Sequence, residues 1–404
     1  MSASSLVRRR GFRTLLVGQG ISALGDWMGT VAFMALALRL TGSPAAVGGV
    51  LTLRLLPAAI AGPIAAHVAV RWDRRRTMLA MDATRAVLIG LVPLVRALWW
   101  IYLLGFLVEL ASIVFLPARD SSIPDLVEDV DDLPLANGLV LGTSYGSIPL
   151  GAALFALVAA LPVDIDHRPF ALVFLIDALT YLVSFACIAR LTQLGPARTE
   201  VDGPATDEAP VRFREAFGIP LVRAVIPALV AVSVGLGALF SLGIVFVREV
   251  LDASDAEFGV LIALFGVGAA AGLVVLQRGR GTDLVARTRF GVAYIGAVVA
   301  VFSLSPSFWF ACLGAVAFGA GAAYALSAGM GAIQSQLDGH ARLLAFTAFH
   351  VVLRVGLGVA ALVAGAAGDV LGDVGGLEPA RVVLLASGVL VFLSAALVRV
   401  PDTP

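Results

Sequence analysis

Apolar blocks long enough to cross a bilayer follow one another along the whole chain, separated by short hinges, and the arginines crowd into alternate hinges. A run of about 20 apolar residues carries a helix across the hydrocarbon core, where a helix satisfies its own backbone hydrogen bonds. The blocks fall at residues 14–38, 46–70, 77–95, 98–118, 135–160, 169–189, 222–247, 256–276, 288–305, 308–328, 343–367 and 380–398. They predict an all-α polytopic membrane protein with twelve transmembrane helices. At 1.5 Å per residue the longer helices tilt or protrude. A mean hydropathy of +0.97, with 59% hydrophobic and only 14% charged residues, leaves too little polar surface for a soluble domain of this length.

Formal net charge is zero, so no basic excess points to nucleic acid, and all 28 basic residues are arginine. Cys187 and Cys312 both sit inside apolar blocks, which gives neither a disulfide framework nor a metal-binding spacing. The basic stretch from Met1 to Arg13 leads into an apolar run too long for a signal peptide, so this segment reads as a retained first helix.

Arginine placement predicts orientation. Arg8, Arg9, Arg10 and Arg13 precede the first block, and Arg71, Arg74, Arg75 and Arg76 follow the second. Arg119, then Arg198, Arg212, Arg214 and Arg223, and later Arg278, Arg280, Arg287 and Arg289 continue the alternation. The intervening hinges carry acids instead, such as Asp164, Asp166, Asp252, Asp255 and Glu257. Positive-inside bias places these arginine-rich hinges and both termini in the cytoplasm.

Residues 191–218 form the one long polar linker, with Pro196, Gly203, Pro204 and Pro210 among mixed charges. The expected organisation is a six-helix bundle over residues 1–190, this linker, and a second, pseudo-symmetric six-helix bundle over residues 219–404. Two equal bundles are what an alternating-access carrier requires, because one half rocks against the other around a central cavity.

Ionisable groups inside a membrane are costly, about 2.5–3.5 kcal/mol at the centre on insertion scales, and usually face a protein interior or a watery path. Asp26 lies near the middle of the first block and Arg54 well inside the second, and the two are candidates for a proton-sensitive pair. Glu109 interrupts an apolar run in the fourth, where it is able to bind a cation, take up a proton or satisfy an arginine. His350 and Arg354, four apart on the eleventh block, share a helix face. Asp82 and Arg85, spaced i,i+3, read as a gating or packing pair, and Asp177 as a structural acid of the sixth block. Trp99, Trp100 and Tyr102 cluster where interfacial anchors belong. No nucleotide-binding loop, metal-ligand cluster or hydrolytic triad appears, so neither enzyme activity nor a cofactor is expected.

The hinge at residues 66–76, Ala-His-Val-Ala-Val-Arg-Trp-Asp-Arg-Arg-Arg, resembles the loop between the second and third helices of the major facilitator superfamily. Ala69, Arg71, Arg74 and Arg75 match that pattern, while Ala66, Val70 and Asp73 replace its first glycine, its acid and its later glycine. In the family that acid helps latch the two halves; Asp73, Asp82 or Asp120 is a candidate to compensate here. The run from Ser22 to Asp26, Leu55-Leu56-Pro57, Gly62-Pro63, the stretch from Pro117 to Val127, Ala136-Asn137 and the run from Asp177 to Tyr181 resemble the drug- and siderophore-exporter branch. The resemblance implies export of small amphipathic compounds by proton antiport, from the bacterial cytoplasmic membrane, by a monomer surrounded by lipid. Alternatives are a lipid or lysolipid carrier, a nutrient importer of the same fold, and a scaffold or sensor that no longer cycles. The resemblance further implies a gating network of Arg71, Asp73, Arg74, Arg75, Asp82, Arg85, Arg119, Asp120 and Asp177.

Overall fold

The computed structural model describes residues 3–60, 72–127, 133–163, 165, 167–194, 213–278, 284–337 and 339–398. Twelve helices of 16 residues or more run through them: α1 (Arg10–Thr41), α2 (Pro44–Ile60), α3 (Arg74–Leu91), α4 (Leu98–Asp120), α5 (Leu133–Ala159), α6 (Ala171–Ala189), α7 (Pro220–Val245), α8 (Asp255–Arg278), α9 (Leu284–Ser303), α10 (Phe308–Gln336), α11 (Gly339–Val370) and α12 (Pro379–Ser394). Eleven are long and apolar enough to cross a membrane. The exception, α2, is described over 17 residues only, and the rest of its predicted span, with the hinge through Arg71, lies outside the described residues. So does most of the polar linker, together with Asp164 and Asp166.

Local chemistry sets several of the helix starts. Asp73 caps α3, its side chain accepting from the Arg76 backbone N–H at 2.8 Å. Proline opens α7 and α12, where its missing N–H costs nothing. Several helices outrun their apolar blocks: α1 begins at Arg10 and α10 continues to Gln336. These polar overhangs are what a helix longer than the hydrocarbon thickness presents at the membrane surface. Large apolar side chains such as Leu157, Leu313 and Leu393 point outward, as lipid-facing residues do. Trp99 and Trp100 stand edge to face at the start of α4, and the Trp100 indole N–H donates to the Leu91 carbonyl at 3.1 Å.

The chain forms two compact units, one of Met1–Leu36 with Pro57–Pro204 and the other of Ala37–Leu56 with Ala205–Pro404. In the first, α3 packs between α4 and α6. Near the start of α1, Phe12, Leu15, Met78, Phe115, Ile123 and Ile188 build a shared apolar core.

In the second unit α8 lies against α10 and α7 against α11, while α9 packs on α10 and α12. The α8–α10 seam is backbone against backbone: a Cβ on Gly319 would sit 1.9 Å from the Phe265 carbonyl oxygen, and one on Gly268 2.0 Å from that of Val316. Small residues permit this approach, which supplies the van der Waals contact that holds membrane helices together. The end of α1 and the start of α2 are fastened within the same unit. Arg39 pairs with Asp255, Arg248 stands 3.5 Å from that carboxylate, and Ser43 Oγ donates to Asp369 at 2.6 Å.

Candidate functional site

The first unit gathers charged side chains at the mid-length of its helices. Asp26 of α1, Asp82 and Arg85 of α3, and Asp177 and Tyr181 of α6 converge there, with Ser112 and Phe115 of α4. Asp82 and Arg85, one helical turn apart, form a buried ion pair. The Arg85 guanidinium is held between two rings, its carbon 4.2 Å from the Phe115 centroid and 4.5 Å from that of Tyr181. Stacking of this kind suits the weakly hydrated, planar arginine cation in a dry site. The Tyr181 hydroxyl donates in turn to the Asp26 carboxylate.

Glycine makes this convergence possible. A Cβ on Gly25 would fall 2.1 Å from Thr180 Oγ1 and 2.5 Å from Asp177 Oδ1, and one on Gly29 2.3 Å from Asp177 Oδ2. Asp177 therefore fills a groove along α1 that only glycine leaves open, and it is fully buried there. Two turns beyond Asp177 on α6, Ser184 accepts from the Gln19 amide at 3.1 Å. The run from Ser22 to Asp26 and the run from Asp177 to Tyr181, distant in sequence, are two faces of one contact.

Burial separates the three acids of the cluster. Asp82 and Asp177 are closed off, whereas Asp26 keeps part of its surface open. Arg85 lies beside Asp82, with Asp26 joined to the pair through Tyr181. Asp82 Oδ2 and Arg85 Nε are buried and lack hydrogen-bond partners among the described residues. Such incompletely satisfied polar groups are uncommon in buried cores.

The remaining sequence candidates lie elsewhere. Glu109 is half-buried on α4. Arg54 is half-buried on the part of α2 that belongs to the second unit. Within the first unit Asp26 accepts from the Tyr181 hydroxyl. His350 and Arg354 are exposed on α11, with the imidazole edge-on to Phe349 at 5.7 Å. At the end of the first unit nearest the start of α3, Arg74 pairs with Asp125 and donates to the Ser121 carbonyl at 2.6 Å. Arg75 donates to the Ala189 carbonyl at 2.6 Å, tying α3 to the end of α6. Arg119 pairs with its neighbour Asp120 at 2.7 Å. Of the acids considered as substitutes for the one replaced by Val70, each has its own work: Asp73 caps α3, Asp82 holds Arg85 and Asp120 holds Arg119. Arg71 lies outside the described residues.

Two participants escaped the reading of the sequence as site residues. Tyr181 and Asp125 both fall within motifs noted there, but nothing in their local sequence names Asp26 or Arg74 as the partner. No group of three or more His, Cys, Asp or Glu among the described residues is placed to hold a metal ion.

The sequence matches the Major Facilitator Superfamily model over residues 15–278. An uncharacterised MFS-type transporter of Bacillus subtilis (strain 168), YfiS, is 32% identical over 122 residues. That match spans 30% of this chain and 29% of the relative, under a third of the relative's length. The fold is similar to that of a bacterial homologue of the human lysosomal transporter Spinster, crystallised inward-facing and unoccupied, with a TM-score of 0.79 at 16% identity over 97% of this chain and 96% of that one. It is similar also to the nucleoside transporter NupG, with a TM-score of 0.77 at 12% identity over 96% and 97% of the two chains. A bacterial homologue of the iron transporter ferroportin gives 0.70 at 17% identity over 96% and 98%. With a family match covering well over half its length and this fold, the chain belongs to the major facilitator superfamily.

Proposed function

We propose that this protein is a secondary carrier of the bacterial inner membrane, with both termini cytoplasmic, which moves a small organic solute by alternating access and couples that movement to protons at Asp26. The observation that carries the coupling assignment is the arrangement of the first unit: Asp82 is closed off against Arg85, whereas Asp26, linked to that pair through Tyr181, retains open surface. A carboxylate with open surface at membrane depth lowers its cost by taking up a proton or a cation. Asp26 is the member of the cluster placed to exchange one.

The similarly folded carriers include a nucleoside transporter and proton-dependent oligopeptide transporters. They favour uptake of a small organic nutrient, or movement of a lipid-like solute, over the drug or siderophore export that the sequence resemblance implies. In the uptake reading solute and proton enter together; in the export reading they exchange. The sign of the pH gradient that drives accumulation separates the two.

The test is transport by purified protein in proteoliposomes, with a panel of nucleosides, short peptides, lysolipids and amphipathic cations, with and without an imposed pH difference. One proton per solute across one pH unit supports about tenfold accumulation. Asp26→Asn is expected to abolish that accumulation while leaving solute counterflow, which needs no net proton movement. Gradient-driven accumulation that survives Asp26→Asn overturns the coupling assignment.

A further inference from the structure

The start of α1 and the end of α6 border a half-open cavity of about 650 Å³, within the size range of ligand sites. Arg10, Arg13 and Arg190 line it, with the Thr14 hydroxyl and the Gln193 amide. Gly11 makes room for that amide: a Cβ there would fall 2.5 Å from Gln193 Nε2. Thr14 Oγ1 donates to the Arg10 carbonyl at 2.8 Å, which leaves the hydroxyl oxygen free to accept and the Arg10 guanidinium uninvolved. Among the described residues no carboxylate pairs with any of the three arginines, in contrast to Arg39, Arg74, Arg85, Arg119 and Arg381. The cavity thus concentrates three positive charges and an amide donor, with no carboxylate among the described residues that line it.

Its depth identifies the source of the missing anion. The 32 residues of α1 exceed what the hydrocarbon core needs, so its first turn emerges at the headgroup level. Arg190 follows directly on the last residue of the 19-residue α6, which just spans the core. We propose that this cavity binds the phosphate of an anionic phospholipid headgroup, with Arg10, Arg13 and Arg190 as its charge partners and Gln193 as a neutral donor. Arginine forks match phosphate oxygens in pairs, and basic pockets between membrane helices are suited to lipid headgroups. The inference is independent of the carrier assignment, since it concerns a site at the membrane surface rather than the Asp26 cluster. Arginines that serve only to orient the chain in the membrane would show no such preference among lipids.

Native mass spectrometry of the purified full chain, titrated with phosphatidylglycerol or with phosphatidylcholine of the same acyl chains, reads the site directly. Phosphatidylglycerol is expected to bind preferentially, and each arginine to contribute about fivefold to its affinity. Arg190→Gln alone, a single exposed change that leaves the rest of the cavity in place, is expected to lower phosphatidylglycerol affinity about fivefold, and Arg10→Gln, Arg13→Gln and Arg190→Gln together about a hundredfold. A third arm adds inorganic phosphate without lipid. Equal binding of the two lipids, unchanged affinity in Arg190→Gln, or displacement of phosphatidylglycerol by inorganic phosphate at comparable concentration would each overturn the assignment, the last by making the site one for a soluble anion.

Discussion

Replacing Arg85 with glutamine is expected to cost the folded protein about 3–5 kcal/mol, the range for removing one member of a buried ion pair. The pair is closed off on both sides: Asp82 has no exposed surface and Arg85 only 4%. Glutamine leaves the Asp82 carboxylate without its cation at a depth where water cannot replace it. It also removes the guanidinium from between Phe115 and Tyr181, a stacking arrangement that contributes about 0.5–2 kcal/mol per ring. The thermal midpoint of the detergent-purified protein should fall sharply. Asp82→Asn combined with Arg85→Gln should recover most of it, because removing both charges abolishes the orphan that makes the single change costly. An Arg85→Gln protein that melts with the wild type would mean that Asp82 has a second cation and that the pair is not what organises the cluster.

The second large effect comes from a residue without a side chain. Gly25→Val should overpack the α1–α6 contact, since its Cβ would land 2.1 Å from Thr180 Oγ1 and 2.5 Å from Asp177 Oδ1. Overpacking of a filled interior costs about 1–3 kcal/mol, and here the helices must also separate, dragging Tyr181 away from Asp26. Loss of stability and loss of coupling should therefore appear together. Gly142→Ala is the matching control: nothing lies within 4 Å of a Cβ there, and alanine should stabilise α5 by about 0.5–1 kcal/mol. Melting curves of the two variants against the wild type decide the matter. A neutral Gly25→Val would show that α1 and α6 stand farther apart than these distances require.

The sequence was informative wherever a physical constraint acts along one helix. The membrane imposes a long apolar run, so helix positions were legible for the eleven helices long and apolar enough to cross it. The i,i+3 spacing of Asp82 and Arg85 places them on one face, and the ion pair follows from geometry alone. Contacts between helices were another matter. Asp26 meets Tyr181 across 155 positions, and Arg39 meets Asp255 across 216. Nothing in a periodic pattern selects one tyrosine among five, or one acid among 28. Asp73 shows a subtler limit. Its place in a family loop invited comparison with a missing gating acid, and the cap it makes on α3 is a local role which that comparison did not bring out. The arginines of the α1 start were legible as markers of orientation, but the cavity they share with Arg190 depends on a neighbour 180 or so positions away that only the packing of α1 on α6 brings close.

Tyr181 touches both ends of the charge cluster with a single rigid object: its ring lies on Arg85 and its hydroxyl meets Asp26. A carboxylate takes a hydrogen bond from the phenol, whereas a neutral carboxylic acid has a hydrogen of its own to offer, so occupancy at Asp26 dictates which partner gives and which receives. Under the proposed coupling, a proton arriving at Asp26 therefore reaches α3 through one side chain of α6, since the ring whose hydroxyl it meets also covers the Arg85 cation.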